Sequence, residues 1–145
     1  MKKNIPSFVL AVVFFILLFV IPKDHRNIKA IQIMGQNIRV NLATTDAARE
    51  QGLSGRENLK EDEGMLFVFD YPDKYSFWMK DMNFPIDMIW IGENKEIIYI
   101  KKNARPESFP ESYGPTADSK YVLEIVSGLS SKNNLKEGDK VEFKY

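Results

Sequence analysis

The sequence predicts a mostly β domain, a small antiparallel barrel or jelly-roll-like sandwich with one short helix, after an N-terminal apolar anchor. Two observations favour this fold. About eight short runs of β-forming residues follow one another at close spacing, and turn residues such as Gly, Pro, Asn and Asp separate them. Helical periodicity is confined to one short stretch, so the crossover helices that a parallel α/β sheet requires are missing.

Residues 1–27 are interpreted as a signal-like segment or membrane anchor, followed by a single β-rich domain over residues 28–145. Lys2 and Lys3 precede an apolar run over residues 8–21. A membrane span takes about 20 residues, and residues 5–21 approach that length. No pair of small residues that would suit a signal peptidase follows closely, and a lipobox cysteine is missing. An uncleaved anchor is therefore favoured over a cleaved signal peptide.

The orientation of the anchor is not settled by charge, because Lys and Arg occur on both sides of the apolar run. A short tail ahead of one apolar segment, with a whole domain behind it, is the usual arrangement of an exported domain. We therefore expect the domain outside the cytoplasm, held at the cell membrane. The alternatives are secretion after cleavage and a domain that faces the cytoplasm on the same anchor.

A β-hairpin is predicted at the start of the domain. Apolar and polar residues alternate over residues 28–34 and again over 38–42, and Gly35-Gln36-Asn37 intervenes. The short helix is predicted next, over residues 47–50. Thr44-Thr45-Asp46 supplies its N-terminal cap, and Gly52 supplies its left-handed stop.

The rest of the domain is predicted to consist of strands and one long loop. The loop covers residues 103–119, where several prolines interrupt any strand pattern. Loops of this length in a small domain are often functional lids, and a plain connection is the alternative. Strands are predicted at residues 64–69, 76–80, 86–91, 96–101, 121–126 and 140–145.

Composition excludes several functions. The chain has no cysteine, which excludes disulfides, thiolate metal sites and a cysteine nucleophile. Its one histidine, His25, lies beside the apolar run, so histidine-based catalysis and imidazole-ligated zinc are excluded for the domain. Residues 31–145 hold fifteen Lys and Arg against nineteen Asp and Glu, which disfavours a nucleic-acid partner. We expect no metal and no cofactor.

Two arginines are candidates for ligand binding. Arg49 and Arg56 flank the end of the predicted helix, so both guanidinium groups can converge on one side of Gly52-Leu53. The planar fork of arginine suits a carboxylate or a phosphate. The structural alternative is an ion pair with Asp87 or Glu124 that fixes the helix to the sheet.

Trp78 and Met79 are the next candidates. Side chains alternate along a strand, so Trp78 faces away from Phe77 and Met79. Trp78 could stack on a sugar ring or a planar ligand, or it could form the wall of an apolar pocket. Packing in the core is the alternative for both residues.

Asp87 and Glu124 are the most unusual carboxylates in the sequence, because each lies inside an apolar β-patterned run where acidic residues are rare. Each is therefore on the solvent face, paired with an arginine, or functional. If both reach one cavity, they could form an acid–base pair of the glycosidase type, or bind a hard cation through oxygen.

The segment resembles a known family. The pattern covers most of residues 31–145 and resembles domain-of-unknown-function family 192, through the motifs Ala48-Arg49-x-x-Gly52-Leu53-x-Gly55-Arg56, Glu63-Gly64-Met65-Leu66-Phe67-x-Phe69 and Phe77-Trp78-Met79-Lys80-x-x-x-x-Pro85-Ile86-Asp87. Ser54 stands where a Met is common in the family. The resemblance implies a small β-rich domain, often after a signal peptide or an anchor. It implies no catalytic role. Matched position by position, the family pattern falls on Arg49, Gly52, Leu53, Arg56, Gly64, Met65, Phe67, Trp78, Met79, Asp87 and Glu124.

The first functional hypothesis is a membrane-tethered extracytoplasmic binding domain for a small anionic or sugar-like molecule, with the membrane contacted through residues 5–21. The alternatives are a structural or interaction module of the cell envelope and a carboxylate-dependent hydrolase or lyase that uses Asp87 and Glu124. We expect at least two of the polar or bulky candidates to share one cavity, because a small core cannot hide several such groups separately. The ligand-binding candidates are Arg49, Arg56, Trp78, Met79, Asp87 and Glu124, and no catalytic residue is assigned.

Overall fold

The computed structural model describes residues 27–145. The predicted anchor over residues 5–21 lies outside the described residues. In the part of the chain from residue 27 onward, no helix is long and apolar enough to cross a membrane.

The described residues form a mostly β domain with short helical segments. The helix α1 covers Asp46–Gln51, α2 covers Leu129–Lys132, and a 3-10 turn covers Pro106–Ser108. The strands are β1 Ala30–Ile33, β2 Gln36–Ala43, β3 Glu63–Asp73, β4 Phe77–Trp78, β5 Ile86–Ile91, β6 Ile97–Ala104, β7 Ser112–Tyr113, β8 Ser119–Val126 and β9 Glu142–Lys144.

Seven of the strands form one curled sheet in the order β6-β5-β8-β3-β2-β1-β9. Its two edge strands approach each other at one end, where Glu96 and Lys140 form an isolated antiparallel bridge. The N–H of Ile97 donates to the carbonyl of Asp139 at 2.9 Å, and the N–H of Gly138 donates to the carbonyl of Ile97 at 2.8 Å. The sheet is therefore a half-barrel, which confirms the predicted mostly β, barrel-like fold.

One pair of strands departs from the predicted antiparallel arrangement. β2 and β3 are parallel, with Val40 opposite Gly64 and Leu42 opposite Leu66. Parallel neighbours need a long crossover connection. Here the crossover runs from Ala43 to Glu63 and contains α1. This connection carries the helix over one face of the sheet.

The hairpin and the capped helix follow the local predictions. β1 and β2 pair around Met34 and Gly35, whose φ angles of 49° and 82° suit a primed hairpin turn. The hydroxyl of Thr45 accepts a hydrogen bond from the N–H of Ala48 at 3.2 Å, which caps α1. Gly52 ends α1 as predicted, but its φ of 50° and ψ of −133° lie outside the left-handed helical region, so its conformation differs from the predicted left-handed stop.

The predicted loop over residues 103–119 needs a correction. It contains the 3-10 turn and the strand β7, which pairs with β4 through Phe77 opposite Tyr113 and Trp78 opposite Ser112. A strand of two residues has no measurable alternation, so it forms only because a distant partner is present. The helix α2 was also not predicted, and the domain therefore has more than one short helix.

The core lies on both faces of the sheet. Alternate residues of the central strands enter different clusters: Leu66, Ile89 and Leu123 pack on one face, while Phe67 and Met88 pack on the other. All six residues of β5 are buried. Strands covered on both faces are mostly apolar, and the one charged residue of β5 is Asp87. We call the face of Phe67 and Met88 the helix face, because Leu53 and Ala48 of the α1 region pack on it.

Candidate functional site

A cavity of about 600 Å³ opens on the helix face. It lies between α1 with its following loop, the strands β3 and β4, and one residue of β8. The residues around it are Ala47, Arg49, Glu50, Gln51, Gly52, Leu53, Ser54, Gly55, Phe67, Phe69, Tyr75, Ser76, Phe77, Trp78, Lys80, Asp81, Met82 and Glu124.

Packed aromatic rings form the wall of the cavity. The rings of Phe69 and Tyr75 stack with centroids 3.4 Å apart and an angle of 11° between their planes. Phe77 meets Phe67 edge to face at 4.8 Å. Behind them, the indole N–H of Trp90 donates to the carbonyl of Tyr75 at 2.8 Å. Because each ring is fixed by another ring or by a hydrogen bond, the wall is formed before any ligand arrives.

Trp78 stands at the rim of the cavity. It is 53% exposed and meets the ring of Phe109 edge to face at 5.8 Å. Its neighbours Phe77 and Met79 are half-buried and buried, so the predicted alternation of this triplet is confirmed. Met79 therefore packs in the core, in the helix-face cluster, whereas Trp78 does not.

Glu124 provides an acidic group inside the cavity. Its side chain is 4% exposed, and it stands between Met65 of β3 and Met88 of β5 in the ladder. Within residues 27–145, its Oε2 atom has no hydrogen-bond partner. Burial raises the pKa of Glu124 from 4.5 to about 8, and the charge of Arg56 opposes that rise. The carboxyl is therefore mostly protonated at neutral pH.

Arg49 lines the cavity, but its guanidinium is already engaged. Its Nη1 donates to the carbonyls of Thr44 at 3.0 Å and Val68 at 2.7 Å. Its Nη2 forms an ion pair with Asp46 at 2.7 Å, and the group lies 5.3 Å from the ring centre of Phe69. Arg49 thus fixes α1 to β3. This is the helix-fixing role of the structural alternative, with Asp46 and two backbone carbonyls as partners in place of Asp87 or Glu124.

Arg56 lies close enough to Glu124 to affect its pKa, although it is not among the residues around the cavity. The loop that carries it is held to the segment after β4. The N–H of Gly55 donates to the carbonyl of Asp81 at 2.9 Å, and the hydroxyl of Ser54 donates to the carbonyl of Lys80 at 2.9 Å. These bonds fix the loop that closes one side of the cavity.

Asp87 lies away from the cavity and is fully buried. Its Oδ1 accepts from the N–H of Asn103 at 2.8 Å. Its Oδ2 accepts from the N–H of Gly128 at 3.1 Å, the N–H of Ser130 at 3.0 Å and the hydroxyl of Ser130 at 2.6 Å. These four donors satisfy the carboxylate and attach the start of α2 to β5 and β6. Its role in this structure is architectural.

The two carboxylates that were considered as a pair lie on opposite faces of the sheet. Directly opposed residues in a ladder share a face. Glu124 is opposite Met88, whereas Asp87 is opposite Ile125. Because neighbours along a strand face opposite ways, Asp87 and Glu124 cannot approach the same substrate or the same cation.

The expectation that at least two candidates share one cavity is confirmed, since Arg49, Trp78 and Glu124 all line it. Phe69 and Tyr75 also line it and were not predicted. Phe69 ends the motif over residues 63–69, which could have indicated it. Tyr75 lies between a predicted turn and a predicted strand, where no pattern marks it.

The fold and the site define a small half-barrel domain with an aromatic-walled cavity under a short capped helix. The chain belongs to family DUF192, described as "Uncharacterized ACR", whose sequence profile matches residues 29–143. No protein of curated function is significantly similar to the chain.

The crystal structures that are similar to this chain include the following two. A protein of unknown function from Novosphingobium aromaticivorans DSM 12444 is 34% identical, with a TM-score of 0.75, over 79% of this chain and 84% of that one. A protein from Sinorhizobium meliloti 1021, provisionally designated a transcription regulator, is 33% identical, with a TM-score of 0.72, over 74% of this chain and 83% of that one. Both similarities extend over most of the half-barrel.

Proposed function

We propose that the chain is a membrane-tethered extracytoplasmic binding domain whose small-molecule ligand occupies the aromatic cavity. The cavity itself carries the proposal. Its volume of about 600 Å³ lies within the usual range for small-molecule sites. It combines a wall of fixed rings with one buried polar group, Glu124, whose Oε2 atom lacks a partner within the described residues.

The contacts of the cavity favour a sugar-like ligand over a small anion. A sugar ring can stack on Trp78, and its hydroxyls can bond to Glu124. An anion would need free guanidinium donors, whereas Arg49 already donates to Thr44, Val68 and Asp46.

Binding can be measured directly by titration calorimetry of the full-length chain against neutral sugars, peptidoglycan fragments and small carboxylates. Trp78→Ala should weaken binding of the active compound about tenfold, the loss expected for one stacked ring. Tyr71→Ala is the matched control, because Tyr71 is a 77% exposed aromatic residue that does not line the cavity. Equal losses in the two variants, or no binding of any compound, would contradict the proposal.

The tether and the location of the domain are part of the proposal and rest on the apolar run within residues 5–21. The chain has no cysteine, so one introduced cysteine reports its location without background. Ala117 is exposed and suits Ala117→Cys. A membrane-impermeant maleimide should label this variant in intact cells. Labelling only after lysis would place the domain in the cytoplasm, and an intact N-terminus in the mass spectrum would support an uncleaved anchor.

A second candidate, an interaction module of the cell envelope, is favoured by one observation. Trp78 and Phe109 form an exposed aromatic pair, at 53% and 45% exposure. Adjacent exposed aromatic residues are enriched at protein interfaces. This candidate predicts that a chemical cross-linker joins the domain to another envelope protein. If Phe109→Ala abolishes that cross-link and leaves small-molecule binding unchanged, the interaction module is the better explanation.

We do not propose nucleic acid as a ligand, although one similar protein is provisionally designated a transcription regulator. Residues 31–145 carry fifteen basic and nineteen acidic residues. Binding to the phosphate backbone depends on an excess of positive charge, which that balance does not favour.

The hydrolase alternative has lost its acid–base pair, because Asp87 and Glu124 lie on opposite faces of the sheet.

A further inference from the structure

We infer that the cavity selects ligands that bear a nitrogen cation with N–H donors, such as an amino, amidino or guanidino group, and that this cation pairs with the buried carboxyl of Glu124. The inference rests on the proposed binding function and narrows its ligand class. A sugar-like ligand would then be one that also carries a cationic nitrogen. Glu124 would then be the group by which the cavity distinguishes the cationic ligand from its uncharged analogue.

The carboxyl of Glu124 is not fully satisfied by the described part of the protein. Glu124 is 4% exposed, and its Oε2 atom has no hydrogen-bond partner within residues 27–145. Buried carboxylates are normally paired, as Asp87 is by its four donors on the opposite face. A carboxyl that lines a cavity and lacks such donors is complementary to a ligand that supplies N–H groups.

The wall of the cavity is rich in aromatic rings. Aromatic faces attract cations, and a cage of rings around one carboxylate is a general way to bind an ammonium-type group. Tyr75 and Trp78 lie on the cavity together with Glu124, whereas Phe69 already stacks on Tyr75 and has the Arg49 guanidinium 5.3 Å from its ring centre. A neutral sugar or an anion would gain from the rings but would supply no cationic N–H donor to the ionised carboxyl.

Charged groups of both signs face the site. Around the cavity, Glu50 and Asp81 are acidic, Lys80 is basic, and the charge of Arg49 is paired with Asp46. The strands on either side of Glu124 present Met65 and Met88, which do not titrate. From the loop after α1, Arg56 acts on Glu124 as a nearby positive charge. With Arg49 neutralised, the cavity lining has an excess of negative charge when Glu124 is ionised.

Because protons compete with a cationic ligand for Glu124, the affinity for that ligand should depend on pH. Glu124 has a pKa of about 8 without ligand, so a cation that binds at neutral pH must release its proton. The affinity of a permanently charged cation should therefore rise with pH and level off above the pKa. A neutral ligand has no such dependence through Glu124.

Benzamidine and benzamide are suitable probes, because they have nearly the same shape and benzamidine keeps its charge throughout the test range. Calorimetry on the full-length chain should show benzamidine binding at least about tenfold more tightly than benzamide at pH 9. The affinity for benzamidine should fall about a hundredfold between pH 9 and pH 6 in the limit of full proton competition. Titration in two buffers of different ionisation enthalpy should show about one proton released at neutral pH.

Glu124→Gln removes the charge and keeps the shape. In this variant, benzamidine should lose its advantage over benzamide and its pH dependence, while Glu137→Gln, at an exposed acid that does not line the cavity, should keep both. Equal affinities for the two probes in the wild-type chain, or an unchanged preference in Glu124→Gln, would overturn the inference. If a neutral sugar still binds in a Trp78-dependent manner, the binding function survives that result. If no compound binds, both proposals fail.

Discussion

The buried acid of Glu124 should make the stability of the domain depend on pH in an unusual direction. Its pKa rises from 4.5 to about 8 in the folded chain, mainly through burial. The folded state therefore holds this proton more tightly than the unfolded state does. The stabilisation from protonation is complete below the unfolded pKa of 4.5 and is lost as the pH rises through about 8.

The size of the effect follows from the shift in pKa. Each pH unit between the two pKa values changes the free energy of unfolding by about 1.4 kcal/mol. A rise from 4.5 to about 8 amounts to about 5 kcal/mol in total, of which about 3 kcal/mol is lost between pH 5 and pH 7. That loss is a large part of the stability of a small domain, which is of the order of 5–15 kcal/mol.

Urea unfolding of the full-length chain at several pH values measures this loss, with Glu124→Gln as the informative variant. Glutamine cannot ionise, so the variant should gain stability relative to the wild-type chain as the pH rises, by about 3 kcal/mol between pH 5 and pH 7. Glu50→Gln, at an exposed acid on the cavity rim, should follow the wild-type profile. Parallel pH profiles for wild type and Glu124→Gln would show that the carboxyl is not held in its neutral form, and the reasoning would be refuted.

Three further predictions concern the architecture around the site, each measured by urea unfolding. Asp87→Ala leaves four donors without their acceptor, of which the two of Ser130 are buried, and should cost about 3–5 kcal/mol; a loss below about 1 kcal/mol would refute its capping role. Arg49→Lys cannot keep the bonds to Thr44 and Val68 together with the Asp46 ion pair, so it should lower the free energy of unfolding by about 1–2 kcal/mol. An unchanged urea midpoint would contradict this. Gly64→Ala places a Cβ atom 2.8 Å from the carbonyl oxygen of Glu124 and should cost about 1–3 kcal/mol; a neutral result would mean that β3 and β8 can separate.

Local rules account for the parts of the fold that were predicted correctly. The alternation over β1 and β2 and the turn at Gly35 are both encoded within a few neighbouring residues. The same holds for the cap of α1 at Thr45 and its stop at Gly52. The β5 strand was predicted with its observed bounds, Ile86–Ile91, because its apolar run ends at a turn on each side.

The candidate site was predicted less completely, because its residues were recognised by type and their partners were not visible. Arg49 was considered as a partner of Asp87 or Glu124, and its ion pair is instead with Asp46, three residues away. Trp78 was assigned the correct face relative to Met79 by strand alternation. Its position at a cavity rim depends on where α1 crosses the sheet, which alternation does not specify.

The sequence by itself determined the mostly β class, the hairpin, the capped helix and the membership of a family of unknown function. Each depends on short-range periodicity, turn chemistry or motif spacing. Only the tertiary structure decided the different environments of Asp87 and Glu124, two acids in equally apolar strands. One meets four donors and the other meets none within the described residues. The physical reason is that the register between strands distant in sequence sets the face and the neighbours of each side chain, and local pattern carries no information about that register.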